Sequence, residues 1–262
     1  MRALHTAATG MMAQELNVQV ISNNIANMRT TGFKRQRAEF QDLLYEHVRR
    51  VGTQTSTQGN ILPVGIDLGG GVKTVGTPRL MTQGTLSPVG GELNLAIRGE
   101  GFFKILMPDG SFSYTRDGSF QMDAQGRIVT SHGNVVQPGI TIPANAQSIS
   151  ISPQGQVSVM LPGANAPSVL GQIALTRFVN KAGLQAIGDN LFVETPASGT
   201  PQDGTPSSDG YGDIQQGSLE QANVEAVTEI SDLIAAQRAY EMNGKVISAA
   251  DQMLSATSNL MR

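Results

Sequence analysis

Three histidines, a scatter of aspartates and several glycine clusters are the residues of this 262-residue chain whose types could do chemistry. His5, His47 and His132 could ligate a metal, but no two of them share a metal-ligand spacing, which leaves surface histidines as the reading. Gly69-Gly-Gly71 and Gly99-Glu-Gly101 could let a phosphate approach the backbone. Neither forms the dinucleotide fingerprint, and Gly244-Lys245 lacks the upstream glycine and the hydroxyl of a phosphate-binding loop. Asp109, Asp117 and Asp123 could pair as the acid and base of a glycosidase. Each sits beside a turn glycine or a strand end, where Asp serves backbone geometry, and nothing selects a pair. No catalytic residue, cofactor site or metal site is assigned.

The elements that would have to position such groups are dominated by the two chain ends. From Asn223 to Arg262, Leu233, Ala236, Tyr240, Asn243, Ile247, Ala250, Leu254, Thr257 and Met261 alternate three and four apart. That is the a/d seam of a helix that packs along another helix. Met242, Val246, Ala249, Met253, Ala256 and Leu260 form a second seam beside it. Such a helix is roughly 60 Å long at 1.5 Å per residue, and two apolar stripes demand contacts on more than one side. Residues 1–28 repeat the rhythm with Leu4, Ala7, Met11, Gln14, Val18, Ile21, Ile25 and Met28, flanked by Ala13, Leu16 and Val20. Gly10 lies mid-helix, at a cost of about 1 kcal/mol against Ala. Two core helices of one domain would explain one stripe each; a terminal antiparallel stalk with further partners explains both.

Composition narrows the class. Charged residues are 15%, aromatics 5%, and Gly numbers 30 with no Trp, which describes a loop-rich β protein. A net charge of −3 gives no case for nucleic acid. With no Cys there is no disulfide framework, thiolate site or thiol nucleophile, as suits a reducing compartment or a chain exported unfolded. No segment has the ~18 consecutive apolar residues of a membrane span. His5, Thr6, Thr9, Gln14 and Glu15 interrupt any apolar region of a cleavable signal.

Between the helices the signal changes. Ser22-Asn-Asn-Ile-Ala-Asn27 predicts a helix break, since Asn competes for backbone groups. Gly32 is a left-handed turn position in Thr30-Thr31-Gly32-Phe33-Lys34. The polar run 52–60 reads as a linker. From Val72 to Val193, short period-two runs alternate with turns such as Pro108-Asp-Gly110 and Asp117-Gly118, a meander or small barrel. Residues 195–213 read as a loop and 214–219 as a last strand. Asn223, with Glu225 in the first turn, predicts the N-cap of the final helix; Ser218 with Gln221 is a rival capping box.

At this point the residues match a known family. Ser22–Asn27 followed by Thr31-Gly32-Phe33-Lys34 resembles the N-terminal signature of bacterial flagellar rod and hook proteins. Ala236-Gln-Arg-Ala-Tyr-Glu-Met-Asn243, Lys245–Ser248 and Asp251–Leu254 resemble their C-terminal signature. Gly99–Phe103, Tyr114–Phe120 and Gly126–Val129 resemble the β domain of the longer members. The residues that carry the two terminal motifs here are Asn23, Asn24, Asn27, Gly32, Phe33, Gln237, Arg238, Tyr240 and Asn243. Chain length, Gly217-Ser-Leu-Glu-Gln-Ala-Asn223 and an insert near 45–71 are most similar to the distal-rod members.

The resemblance implies an α+β fold in three parts. Residues 1–30 and 223–262 would form a coiled-coil stalk. Residues 31–71 and 195–222 would form an extended β/loop connector carrying the insert, and residues 72–194 a mostly antiparallel outer β domain. It implies a structural subunit that leaves through the flagellar export apparatus without a cleaved signal and self-assembles into a rigid tube across the periplasm. Torque would pass from motor to hook by packing alone, with the helices as inner wall and the insert keeping the rod straight. Partners would be further copies of itself, the proximal rod proteins, the hook protein, the peptidoglycan and outer-membrane bushing rings and a rod cap. Leu4, Met11, Val18, Ile21, Ile25, Leu233, Tyr240, Val246, Ile247, Met253 and Leu254 would be the assembly interface. Another axial protein of the family, proximal rod or hook, is the near alternative; a secreted glycan-binding β module with helical ends is the distant one.

Overall fold

The computed structural model describes residues 2–51, 64–163 and 166–260, with side chains to residue 257 in the last helix. The polar run 52–60, the side chain of Leu260, and Met261 lie outside the described residues. The chain divides into two compact units: residues 1–25, 36–78 and 225–262, and residues 26–35 and 79–224.

The first unit holds the two terminal helices. Helix α1 spans Arg2–Ala26 and helix α2 spans Ala226–Leu260. The predicted break at Ser22–Asn27 does not occur before Ala26. Asn24, expected to compete with the helix backbone, turns its amide to another segment and leaves the ladder intact (below). Two exposed-edged ribbons complete the unit, all antiparallel: Glu39–Asp42 with Val72–Gly76, and Tyr45–Arg49 with Ile66–Gly69. The second ribbon is the described part of the predicted insert, and His47 and Asp67 face each other across it at 2.6 Å.

The second unit is built of β-strands, with a short 3-10 helix at Lys181–Gly183. Its main sheet runs Gln185–Gly188, Leu191–Val193, Phe112–Thr115, Phe102–Leu106, Val135–Val136, Ile128–Val129, Gln121–Met122, with Leu175–Arg177 and Gln202–Gly204 joined at Phe102–Leu106. A three-stranded sheet, Ser148–Ile151, Gln156–Met160 and Ser168–Gln172, packs into the same core. Period two explains the interior: Phe103 and Ile105 enter the large aliphatic core with Leu95, Ile97 and Val157. The neighbouring Phe102 points the other way, into an edge-to-face aromatic cluster with Phe178 and Phe192; Tyr114 joins it through Phe178.

Three sequence readings are revised here. The segment 195–213 is not all loop: Gln202–Gly204 pairs with Leu175–Arg177. The single strand expected over 214–219 is two, Asp213–Gln216 and Ser218–Glu220, parted by Gly217 at φ 72°. Ser218 is therefore a strand residue and no capping box forms with Gln221.

Candidate assembly surface

The helix pair is built from the chain ends upward. Gly10 removes a side chain where α1 meets Asn243: a Cβ there would lie 2.9 Å from the Asn243 Nδ2. Near the other end of α1, the Asn24 Nδ2 donates to the Glu229 Oε2 at 3.1 Å. Residues 10 to 24 of α1 thus run opposite residues 243 to 229 of α2, an antiparallel pair held at two points about four turns apart. The Asn24 amide also donates to the Gln36 carbonyl (2.8 Å) and accepts from the Gln36 N–H (2.9 Å), standing in for a strand partner. In the N-terminal half of α1, the Thr9 hydroxyl accepts the Val72 N–H at 3.3 Å.

Burial along α2 follows the two seams. Glu229, Ala236 and Ala250 are buried and Leu233, Asn243 and Ile247 half-buried, whereas Tyr240 and Leu254 of that seam are exposed. On the second seam Met242, Val246, Ala249, Met253 and Ala256 are all exposed, Met253 at 63%. On α1, Ile21 is buried with Ala7, Ala13 and Val20, and Leu4, Met11, Val18 and Ile25 are half-buried. Gln237 and Arg238 of the C-terminal motif are exposed. The first intrahelical bond of α2 runs from Glu229 N–H to the Glu225 carbonyl, so Glu225 occupies the cap position predicted for Asn223.

Of the remaining motif residues, Asn23 is exposed on α1, whereas Asn27, Gly32 and the half-buried Phe33 lie in the second unit. Gly32 adopts φ 69°, and a Cβ would sit 2.7 Å from the Asp117 nitrogen. That turn delivers Lys34 into the interior, where its ammonium meets Glu220 Oε1 at 2.6 Å with neither side chain reached by solvent. Arg116 contacts the other carboxylate oxygen at 3.4 Å, donates to the Gly99 carbonyl at 2.7 Å, and lies over the Phe102 ring. Glu220 also accepts the Gly84 N–H at 2.9 Å. Burial pushes the Lys34 and Arg116 pKa values down, and the Glu220 charge pulls each back. Sequence reading missed this cluster because its three members are far apart in the chain. Their only mark was their presence in three separate family motifs.

Among the described residues no group of His, Asp or Glu is arranged to hold a metal, and no helix is long and apolar enough to cross a membrane. His132 stands 3.8 Å from Asp189 on an exposed hairpin turn. Asp109, Asp117 and Asp123 each accept backbone N–H groups of their own turns.

Three family models match the chain. Residues 4–34 match the flagella basal body rod protein, residues 96–159 the flagellar hook protein FlgE/F/G D1 domain, and residues 215–260 the flagellar basal body rod FlgEFG protein C-terminal region. The flagellar basal-body rod protein FlgG of Caulobacter vibrioides is 57% identical over 260 residues, covering 99% of both chains. The FlgG proteins of Agrobacterium fabrum and Borreliella burgdorferi are 49% and 48% identical, each over 100% of this chain and at least 99% of their own. The chain belongs to the flagellar basal-body rod family. Rod-family motifs are therefore what the two sites carry: the N-terminal and C-terminal signatures make the helix pair, and Lys34, Arg116 and Glu220 bring the N-terminal, central and 217–223 motifs together.

Proposed function

We infer that this rod-family chain is a structural subunit of the flagellar distal rod, polymerising into a rigid tube that carries torque from the motor towards the hook. The observation that supports the reading is the second seam of α2, a row of apolar side chains left exposed, together with Tyr240 and Leu254 of a first seam that is buried only at Ala236 and Ala250. Exposed apolar surface of that extent marks an interaction site. A few hundred Å² buried per contact gives several kcal/mol at about 25 cal/mol per Å², repeated along the polymer. In this reading residues 1–30 and 223–262 are the polymerising part, 31–71 with 195–222 the connector, and 72–194 the outer domain. The interface is carried by Leu4, Met11, Val18, Ile21, Ile25, Leu233, Tyr240, Val246, Ile247, Met253 and Leu254.

The subunit acts by packing, and no catalytic role is proposed. It spans the periplasm, having left the cytoplasm through the flagellar export apparatus, and meets its own copies, the proximal rod proteins, the hook protein, the ring proteins around it and a rod cap. Electron microscopy of the purified protein tests this: straight tubes are expected. Leu254→Asp should abolish them while the β unit stays folded, because a carboxylate in a closed seam is costly. Tubes formed equally well by that variant, or a protein that stays monomeric at high concentration, would overturn the reading.

A further inference from the structure

We propose that Met253 is an oxidation-sensitive site of the polymerising seam: a peroxide that converts its thioether to a sulfoxide takes the subunit out of assembly. With no Cys in the chain, no thiol meets an oxidant first, and the most readily oxidised groups left are the 11 methionines. These are not equally reachable. Met81 and Met107 are half-buried against the two hydrophobic clusters of the β unit. Met253 and Met242 lie open on the second seam of α2, 63% and 59% exposed and about three turns apart. Met12 on α1 is more open still, but it lies off the apolar stripes of that helix, one turn from Glu15.

What a sulfoxide costs in a closed contact depends on which groups can donate to its oxygen. The residues at helical spacing from Met253 are Ala249, Ala250, Ala256 and Thr257. The alanines have no side-chain donor, and the Thr257 hydroxyl already donates to the Met253 carbonyl at 2.8 Å. Around Met242 the same positions include Arg238 and Lys245, whose cations can donate to a new oxygen. The two sulfurs share one stripe and a similar exposure, yet only at Met253 does the sulfoxide lack a partner on its own helix. The chemistry is a two-electron transfer. A sulfur lone pair attacks one oxygen of hydrogen peroxide, and the S–O bond forms as the O–O bond breaks. The departing hydroxide takes the remaining proton to become water; sulfur is oxidised and the peroxide reduced. An apolar, flexible side chain becomes a polar one, and methionine sulfoxide reductases, one for each epimer, return it to the thioether. Oxidation therefore acts on free subunits, whose seam is open, and spares those already in a tube; in that consequence the inference rests on the distal-rod reading.

The full-length protein is treated with dilute hydrogen peroxide, mapped for added oxygen by peptide mass spectrometry, and scored for tube growth by sedimentation and electron microscopy. The oxidised parent should need at least about tenfold more subunit to grow tubes, the penalty of closing a seam over an unpartnered polar group. Met242→Leu should lose growth on oxidation as the parent does. Met253→Leu, a volume-conserving change, should keep it. Met253 in preformed tubes should stay unoxidised. If Met253→Leu itself grows no tubes, repair serves instead: both reductases acting on the oxidised parent should restore growth in step with loss of the Met253 sulfoxide. Normal growth of a parent fully oxidised at Met253, equal losses in the parent and Met253→Leu, or repair without restored growth overturns the proposal. An untreated parent that grows no tubes is a different result, which overturns the rod reading and with it this use of the site.

Discussion

Asn24 on α1 and Glu229 on α2 meet through a 3.1 Å hydrogen bond in the buried interior of the helix pair. The same Asn24 amide closes two further bonds to the Gln36 backbone. One side chain thus satisfies a helix partner and the chain segment that follows its own helix. Asn24→Ala leaves buried polar groups without that partner and should destabilise the first unit by about 1–3 kcal/mol. Urea unfolding followed by far-UV circular dichroism measures it. Asn24→Asp should be worse, since it loses both donors and sets a second carboxylate against Glu229.

Glu220 pairs with both Lys34 and Arg116 in the buried cluster, one carboxylate oxygen to each. Glu220→Gln leaves two buried cations without their counter-charge and should cost about 3–5 kcal/mol. Lys34→Met should cost less, because Arg116 and Glu220 remain paired. Chemical denaturation of the three proteins, monitored by near-UV dichroism of the β unit, should give that order.

Gly32 combines a left-handed backbone with close approach to Asp117. Gly32→Ala strains the turn and drives its Cβ into backbone that cannot rotate away. A loss of at least about 1 kcal/mol is expected, visible as a lower melting temperature of the full chain. An unchanged melting temperature would show that the turn can relax.

Tyr114 is buried against Phe178, and that burial, with the charges of Glu194 and Asp203, raises its phenol from 10.0 to about 12. The folded state holds this proton where the unfolded chain has released it. The contribution is therefore intact below pH 10 and is lost as pH climbs from about 10 to about 12. Alkaline unfolding over that window should be shallower in Tyr114→Phe. A phenolate absorbance titration of the parent should show Tyr114 ionising late, together with Tyr45, whose phenol the hydrogen bond and charge of Asp42 also raise, and the late phase should shrink in Tyr114→Phe.

The polar run 52–60 joins the two strands of the exposed ribbon Tyr45–Arg49 and Ile66–Gly69. If the insert keeps the polymer straight, its deletion should leave subunit folding intact and yield bent or flexible tubes with impaired rotation. Electron microscopy and swimming assays read both. Straight tubes from the deleted protein would make the run a plain linker.

Periodicity alone fixed both terminal helices, their twin apolar seams and the β character of the middle, because each depends on spacing within one segment. It placed Asn243 and Gly10 on helices without knowing that they face each other. Local rules misread Asn24 and Asn223: both were assigned to breaking or capping a helix, the commonest uses of Asn near a helix end. Each instead spends its amide on distant backbone, Asn24 on Gln36 and Asn223 on Arg35, Leu80 and Thr82. The convergence of Lys34, Arg116 and Glu220 was likewise decided only by the tertiary fold. Helix and strand patterns are set by neighbours a few residues away, whereas the pairing of a buried charge or amide is set by whichever segments the fold brings within hydrogen-bond reach.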